Sequence, residues 1–302
     1  MGILPEIRCE DQYSALYEDD AIWQPAVREV AARHGLEGDP ERLTLGTHLV
    51  YGVGGVVLKI YCPLWAASFE AERVALESVD NLPVPRVVAH GKIAEWPYLV
   101  QSRAVGVPAQ SVWRKLSRGV RRSLVGEIGA LLRCLHDHHR PKGLDSDWES
   151  FLQARLSGAE GHHCAGDPWG SWIRSRLKEF VEPPFRHVFL HADLTADHIL
   201  LTRRDDGSWF VSGIIDFGDA RIGHPFYDFI AVIADYTLGE PELSHQLLEA
   251  YGMDSSSEVE EGILSFCLLH EFGRLQDFLD AHSMEGPADF RRALWGKDVP
   301  DG

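Results

Sequence analysis

The sequence predicts an α+β protein with a small strand-rich N-terminal part and a larger, mainly helical C-terminal part. Residues 43–61 contain two β-rich runs around the glycine-rich turn 52–55, which predicts a hairpin. Residues 117–139 place apolar side chains at the spacing of one helix face. The runs ILLT and WFVSGIIDF flank Asp205-Asp206-Gly207 and predict a second hairpin within the helical part.

The other predicted elements connect these regions. Residues 103–108 lack periodicity and are expected to form a connector, so we expect two domains, 1–102 and 103–302. In chain order the sequence predicts one helix at 12–35, another at 65–79, strands RVVAH and YLVQS, two helices within 147–181, and helices from 224 towards the C-terminus.

The charge balance excludes one class of partner. The 302 residues include 29 Lys+Arg and 46 Asp+Glu, a net charge of −17 with neutral histidines. Proteins that bind nucleic acids need a basic face, so we expect no nucleic-acid partner. The acidity favours a cationic partner, with solubility alone as the alternative.

The cysteines and hydropathy indicate the compartment. There are 5 cysteines, an odd number, and no two form a C-x-x-C pair, which is typical of reduced thiols in a cytoplasmic protein. No secretory signal or membrane-spanning run is present in the sequence. We expect a cytoplasmic monomer or homodimer without membrane contact.

Two short segments carry acidic residues where the chain leaves a predicted strand. The first is HADLTADH, from His191 to His198, and the second is IIDFGD, which contains Asp216. Each is weak evidence alone, but both follow a strand lysine, Lys59, and the second lies one hairpin beyond the first. The combination favours phosphoryl transfer, which needs positioning and charge neutralisation more than covalent chemistry.

The residue types fit that reaction. Asp193 is a candidate to orient the attacking hydroxyl and accept its proton, and Asp216 a candidate to hold magnesium, which prefers oxygen ligands. Lys59 is a candidate for the nucleotide phosphates, with Glu72 as its ion-pair partner. Glu70 and Glu77 lie on the same predicted helix and are the alternatives to Glu72.

With these motifs the chain resembles the aminoglycoside phosphotransferase family, over nearly its whole length. HADLTADH matches the family's catalytic loop, IIDFGDARIGHPFYD its metal-binding segment, and LRCLH a helix motif. Within the family it is most similar to the hygromycin B phosphotransferases of actinomycetes. The resemblance implies a two-lobed protein-kinase-like fold, with a small antiparallel-sheet N-lobe that binds nucleotide and a larger helical C-lobe.

The resemblance also implies cofactors and roles. The donor would be ATP, with GTP as the alternative, and the metal Mg²⁺. Gly46 and Thr47 would cover the phosphates, in a loop that continues into His48, and Ser102 and Ala104 would meet the adenine. The remaining implied roles are Asp193 as catalytic residue, Lys59 with Glu72 at the phosphates, Asp216 at the metal, and His191 and Asp228 as structural support.

His198 departs from the family pattern, which has asparagine at this position. A neutral imidazole is a softer ligand than an amide oxygen. Three outcomes stay open: His198 ligates the metal, one metal site is weakened, or the protein is a degraded kinase.

An aminoglycoside is a hydroxylated polycation, so its site needs carboxylates. The candidates are Asp197, Glu271 and Asp277, each with an exposed, solvated role as the alternative. We expect an aminoglycoside kinase that confers resistance, with hygromycin B as substrate. The alternatives are a kinase for another small cationic or sugar metabolite and a non-catalytic nucleotide-binding pseudokinase. A protein kinase is disfavoured, because Asp216 and Asp228 are too close for a long activation loop.

Overall fold

The computed structural model describes residues 3–44, 46–162, 169–269 and 284–296, without the side chains of 44, 159–162 and 169. Glu271 and Asp277 lie outside the described residues.

The chain divides into two compact units. Unit 1 combines 1–105 with two later segments, 141–144 and 215–220. Unit 2 comprises 106–140, 145–214 and 221–302. The functional division of the chain after residue 102 stays a prediction.

Unit 1 contains a five-stranded sheet in the order β1-β2-β3-β5-β4, in which all neighbours are antiparallel. The predicted hairpin is confirmed, because Val53 of β2 pairs with Val56 of β3. Gly54 turns the chain with a φ of +57°, and a Cβ there would lie 2.5 Å from the carbonyl oxygen of Glu37, so this position requires glycine. The strands are β1 (Glu41–Thr44), β2 (Leu49–Val53), β3 (Val56–Ile60), β4 (Val87–Ile93) and β5 (Trp96–Ser102).

Helices α1 (Glu10–Tyr17), α2 (Asp20–Arg33) and α3 (Ala66–Ser78) belong to unit 1. The prediction of one helix over 12–35 is wrong. The helix is interrupted between Tyr17 and Asp20. The Asp19 carboxylate accepts a hydrogen bond from the Ala21 N–H at 3.2 Å and thereby caps α2.

An aromatic cluster forms the core between the sheet and the first two helices. The ring of Trp23 in α2 lies 5.5 Å from the Trp96 ring of β5 and 6.0 Å from the Tyr13 ring of α1, centroid to centroid. Trp23 is fully buried, and buried aromatic pairs of this kind stabilise the fold by more than the burial of their apolar area alone. Both helices are therefore fixed parts of unit 1.

Unit 2 is mainly helical, as predicted. Ser117 caps α5 by accepting the Val120 N–H at 3.4 Å. Helix α5 packs closely against α9 at Gly129, where a Cβ would lie 2.6 Å from the Leu247 carbonyl oxygen. The helices are α4 (Ala109–Val112), α5 (Arg118–Asp137), α6 (Trp148–His162), α7 (Trp169–Lys178), α8 (Phe226–Val232), α9 (Pro241–Tyr251), α10 (Ser257–Phe266) and α11 (Pro287–Trp295).

Short strands support the two motif segments. β8 and β9 form the second predicted hairpin, β7 pairs with β10, and β6 forms within the predicted connector and pairs with β8. The segment between β7 and β8 carries HADLTADH, and β9 runs directly into the segment with Asp216. The strands are β6 (Val107–Pro108), β7 (Val188–Leu190), β8 (Ile199–Arg203), β9 (Trp209–Ile214) and β10 (Arg221–Gly223).

Among the helices that the structure describes, none has the length and apolar character needed to cross a bilayer.

Candidate active site

Lys59 is the centre of a charged cluster in unit 1. It lies on the central strand β3 and is 3% exposed. Its Nζ donates to Glu72 Oε2 at 2.5 Å and to Asp216 Oδ1 at 2.9 Å. A buried ammonium group needs such partners, and the structure supplies one from α3 and one from the segment after β9. Glu72 is the helix glutamate that reaches Lys59.

The alternatives to Glu72 have another partner. Glu70 and Glu77 both bond to Arg73 on the surface of α3, at 2.8 and 2.6 Å. Glu72 lies on the opposite side of the helix from Glu70 and Glu77 and is fully buried. Helical spacing therefore separates one inward-facing glutamate from two outward-facing ones.

The cluster favours a protonated lysine. Burial alone would lower the pKa of Lys59, but the charges of Asp216 and Glu72 outweigh it, so the pKa is raised. Burial raises the pKa of Glu72, and the Lys59 charge and two hydrogen bonds offset this only partly. The second of those bonds comes from Tyr61 Oη at 2.5 Å. Lys59 is thus a fixed positive charge.

Asp216 is held in an unusual backbone conformation. Its φ is +67°, in the left-handed region that residues other than glycine rarely adopt. The adjacent Phe217 is fully buried and anchors the segment, while the Asp216 side chain is 37% exposed. Strain of this kind persists where the surroundings impose it and is frequent at functional sites.

The predicted phosphate loop lies between β1 and β2. Gly46 and Thr47 are exposed, whereas His48 is buried, with its ring centroid 4.6 Å from that of Tyr61. Burial lowers the pKa of His48 to about 4, and the charge of Lys59 acts in the same direction. The imidazole is therefore neutral near pH 7.

The predicted adenine contacts lie at the end of β5. Ser102 donates its N–H to the Arg86 carbonyl oxygen at 2.8 Å and accepts the Arg86 N–H on its hydroxyl at 2.9 Å. Ala104 is partly exposed two residues further along. The Ser102 side chain thus has a role within unit 1, and its contact with adenine stays a prediction.

In unit 2 the segment HADLTADH is fixed by Asp228 of α8. Asp228 is 1% exposed, and its two carboxylate oxygens accept the N–H groups of His191 at 2.9 Å and Ala192 at 2.7 Å. His136 of α5 donates from Nε2 to the same carboxylate at 3.0 Å and accepts on Nδ1 from Tyr251 Oη at 2.8 Å. One buried carboxylate thereby fixes the backbone just before Asp193.

His191 and Ala192 complete this turn. The His191 side chain is fully buried, and its Nδ1 lies 3.3 Å from the Asp193 N–H, which donates to it. Ala192 has a φ of +69°, a second left-handed residue that is not glycine. The turn orients Asp193, whose side chain is 15% exposed.

His198 closes back onto Asp193. Its Nδ1 lies 2.7 Å from the Asp193 carbonyl oxygen and 3.4 Å from Asp193 Oδ2. A carbonyl oxygen only accepts, so Nδ1 carries the proton and the lone pair of the neutral ring is on Nε2. The imidazole at this position is therefore held by the main chain of its own segment, with its tautomer fixed.

Asp235 makes a contact that the sequence does not predict. It lies in a π-helical turn, Ile233–Thr237, directly after α8, and its Oδ2 accepts the Ala196 N–H at 2.6 Å. Burial raises the pKa of Asp235, and the Ala196 hydrogen bond offsets this only partly. Its signal was a lone acid in the apolar run FIAVIADYT, which is too weak to identify a loop contact.

Of the predicted substrate acids, the structure describes Asp197, which is exposed in the segment HADLTADH. Near the start of the acidic C-terminal region, Glu260 is 1% exposed and accepts from Ser255 at 2.7 Å, and Glu261 pairs with Arg176 and Arg291. Glu260 and Glu261 therefore have structural partners.

The antiparallel sheet, the Lys59 cluster and the braced segment around Asp193 define a small-molecule phosphotransferase with a kinase-like fold. The chain belongs to the phosphotransferase enzyme family APH, whose model matches residues 47–262. The predicted fold class is confirmed.

Two curated relatives share part of the sequence. An aminoglycoside 3'-phosphotransferase of Streptomyces fradiae is 28% identical over 223 residues, which cover 68% of this chain and 79% of the relative. The lysine-specific demethylase JMJ21 of Arabidopsis thaliana is 24% identical over 203 residues, 52% of this chain. The match spans only 22% of that demethylase.

Solved structures show the same fold. Aminoglycoside phosphotransferase APH(3'')-Id of Streptomyces rimosus superposes with a TM-score of 0.60 at 21% identity, covering 81% of this chain and 97% of that one. It has also been solved with ADP and streptomycin. A thermostable mutant of APH(4)-Ia, in a ternary complex with AMP-PNP and hygromycin B, gives 0.55 at 17% identity and covers 85% and 92% of the two chains.

Proposed function

We propose that this protein transfers the γ-phosphate of ATP to a hydroxyl group of an aminoglycoside, with hygromycin B as the expected substrate, and so confers resistance. The observation that carries the proposal is the pair of built sites. One holds Lys59 between Glu72 and Asp216, and the other holds Asp193 on a segment fixed by Asp228.

Asp193 is the proposed catalytic residue. Its carboxylate would orient the attacking hydroxyl and accept its proton as the new bond to phosphorus forms and the bond from that phosphorus to the leaving ADP breaks. His191 and Asp228 would support this role by fixing the backbone on the N-terminal side. Such positioning supplies much of the catalysis in phosphoryl transfer.

Lys59 is the proposed ligand of the α- and β-phosphates. Its raised pKa keeps it charged, and Glu72 keeps it in place. Gly46 and Thr47 would cover the phosphates, and Ser102 and Ala104 would contact the adenine. ATP is the proposed donor, with GTP as the alternative.

Magnesium is the proposed metal, and the donor groups fit it. Asp216 offers carboxylate oxygen, and Mg²⁺ in such enzymes takes one or two protein ligands with the rest from phosphates and water. His198 is the proposed second ligand through Nε2, the nitrogen that its tautomer leaves with a lone pair. The metal would neutralise charge on the transferred phosphoryl group.

The substrate class follows from charge and from the relatives. The net charge of −17 favours a cationic acceptor, and the relative from Streptomyces fradiae is named for an aminoglycoside. Asp197, Glu271 and Asp277 are the proposed substrate carboxylates. We propose a cytoplasmic enzyme, since ATP is intracellular and the odd number of cysteines without a C-x-x-C pair is typical of reduced thiols.

The test is ATP turnover by the purified protein with Mg²⁺, across hygromycin B and a panel of other aminoglycosides, with the phosphate located on the product. We expect turnover that depends on both the drug and Asp193. Turnover only with a sugar or amino-alcohol metabolite would replace the drug by that class. ATP binding without transfer to any acceptor would indicate a pseudokinase.

His198→Asn tests the metal proposal separately. If His198 ligates well through Nε2, asparagine should raise the Mg²⁺ concentration needed for half-maximal activity. A lower requirement in the variant would instead mean that the imidazole is a poor ligand.

A further inference from the structure

Helix α1 contacts the predicted phosphate loop through two tyrosine hydroxyls. Tyr13 Oη donates to the Thr47 carbonyl oxygen at 2.9 Å. Tyr17 Oη donates to the His48 carbonyl oxygen at 3.2 Å and accepts the Gly46 N–H at 2.7 Å. Three backbone groups of a three-residue loop are thus held from one helix.

The helix that makes these contacts is itself fixed. Tyr13 is 3% exposed, and its ring lies 5.3 Å from Trp65 and 6.2 Å from Trp96, centroid to centroid. The guanidinium carbon of Arg42 lies 4.5 Å from the Tyr17 ring centroid. Both hydroxyls are therefore presented by rings that cannot move freely.

The same loop packs onto the Lys59 cluster. The buried ring of His48 lies against Tyr61, whose hydroxyl donates to Glu72. The backbone held by α1 and the ring packed on Tyr61 place the loop from two sides. The Gly46 N–H is bonded to Tyr17, so this N–H already has its acceptor before any ligand binds.

Helix α1 precedes the matched part of the chain. The family model begins at residue 47, after both tyrosines and one residue beyond Gly46. The loop is therefore positioned by a segment that lies outside the family match.

We propose that Tyr13 and Tyr17 are positioning residues that hold the Gly46–His48 loop in the shape that binds the phosphates of ATP. This rests on the proposed function, in which the loop covers the phosphates. A short loop with a glycine loses conformational freedom when it closes on a ligand, and hydrogen bonds made beforehand remove that cost from binding.

The test compares Tyr13→Phe, Tyr17→Phe and the double variant, which keep the rings and remove the hydroxyls. A net hydrogen bond corresponds to a few-fold to tenfold in affinity, so we expect Mg-ATP to bind about three- to tenfold more weakly to Tyr17→Phe. The double variant should lose about tenfold or more. Adenosine affinity and the KM of the acceptor should stay within about twofold, since neither compound carries the phosphates that the loop is proposed to bind.

Tyr98→Phe is the matched control. Tyr98 lies on β5 of the same unit, and its hydroxyl is 2.8 Å from Nε2 of His34, a residue outside the Gly46–His48 loop. This variant should bind Mg-ATP as the wild type does. An equal loss in Tyr98→Phe would mean that removing any tyrosine hydroxyl of unit 1 weakens binding, and would overturn the proposal.

Hydrogen exchange at the Gly46 amide separates this proposal from the proposed function. Its exchange should accelerate about tenfold or more in Tyr17→Phe even without nucleotide, since its acceptor is gone. Unchanged exchange, or unchanged Mg-ATP affinity in a double variant of a wild type that binds ATP, overturns the proposal. A wild type that binds no ATP defeats the proposed function, while the exchange measurement still tests the contact. If the double variant does not fold, the partly exposed Tyr17 supplies the test alone.

Discussion

The Lys59 cluster and the segment around Asp193 are held in place by different means. In unit 1, charged side chains hold one another, since Lys59 lies between Glu72 and Asp216. In unit 2, carboxylates hold main-chain N–H groups, as the buried Asp228 and the exposed Asp235 do around Asp193. The first arrangement holds a charged side chain in place. The second holds a loop in place, and it does so through side chains other than the Asp193 carboxylate, which is the one expected to react. Substitutions should therefore affect ligand binding in unit 1 and loop order in unit 2.

The largest effect is expected at the reactive carboxylate. Asp193→Asn keeps the shape but removes the proton acceptor, so kcat should fall by about 10²- to 10⁴-fold. Mg-ATP affinity should stay within about threefold, because the Lys59 cluster is intact. Steady-state kinetics and calorimetric nucleotide titration measure the two. A kcat within tenfold of wild type would remove Asp193 from the mechanism.

The brace in unit 2 should affect folding as well as activity. Asp228→Ala leaves two backbone N–H groups and a buried histidine without their acceptor, which should lower the free energy of unfolding by about 3–5 kcal/mol. Urea unfolding followed by fluorescence measures this. Asp228→Asn is the control, since it keeps one oxygen acceptor and should lose clearly less. Equal losses in both variants would mean that the charge, and not the hydrogen bonds, is what stabilises the loop.

Acid should destabilise each unit through one buried histidine. Burial lowers the pKa of His48 in unit 1 to about 4 and that of His224 in unit 2 to about 3, from an ordinary value of 6.5. Both folded-state pKa values are depressed, so their stabilisation is present above pH 6.5 and is lost as the pH falls towards 4. Protonation of each histidine would lower the free energy of unfolding by about 3 kcal/mol at pH 4.

The matched variants are His48→Gln and His224→Gln, which do not titrate. His224 accepts the Phe226 N–H on Nδ1 at 3.1 Å and donates to the Pro183 carbonyl oxygen at 3.2 Å, and an amide can make both kinds of bond. The unfolding free energy of each variant should depend less on pH between 6.5 and 4 than that of the wild type. Parallel pH profiles would show that other groups cause acid unfolding.

How far the sequence predicts this molecule depends on the distance over which a residue acts. Asp193, Asp216 and Lys59 were predicted because each lies in a local motif beside a strand. The sequence alone does not distinguish Glu72 from Glu70 and Glu77, and the structure was needed to identify Glu72 as the partner of Lys59. Asp19 shows the local limit, because a single capping carboxylate divided a segment that periodicity predicted to be one helix.

Contacts between distant segments were not predictable. Asp235 reaches Ala196 across 39 residues, and Tyr17 reaches Gly46 across 29, without a motif at either end. Hydrophobic periodicity records which face of a helix is buried, not which hydroxyl or carboxylate meets a backbone N–H. The missed residues are accordingly those that position a loop and not those expected to react.

A smaller effect is expected from neutralising one member of the Lys59 cluster. Glu72→Gln keeps the volume and an acceptor for Tyr61 but removes one charge. Lys59 then keeps Asp216 as its charged partner, and Mg-ATP affinity should fall about tenfold as the lysine is held less firmly. Glu70→Gln is the control, since Glu70 is on the surface of the same helix. A Glu72→Gln variant with wild-type affinity would mean that Asp216 suffices to place the lysine.

The smallest effect is expected at the strained backbone of unit 2. Ala192 has a φ of +69°, which glycine adopts without cost, so Ala192→Gly relieves strain in the folded state. Glycine also gives the unfolded chain more freedom, by about 0.4–1 kcal/mol, and the two effects oppose each other. The unfolding free energy should therefore change by less than about 1 kcal/mol, with kcat unchanged, because the N–H of residue 192 still donates to Asp228. Urea unfolding and kcat measure both. A large drop in kcat with unchanged stability would show that the alanine side chain, and not the turn alone, keeps Asp193 in position.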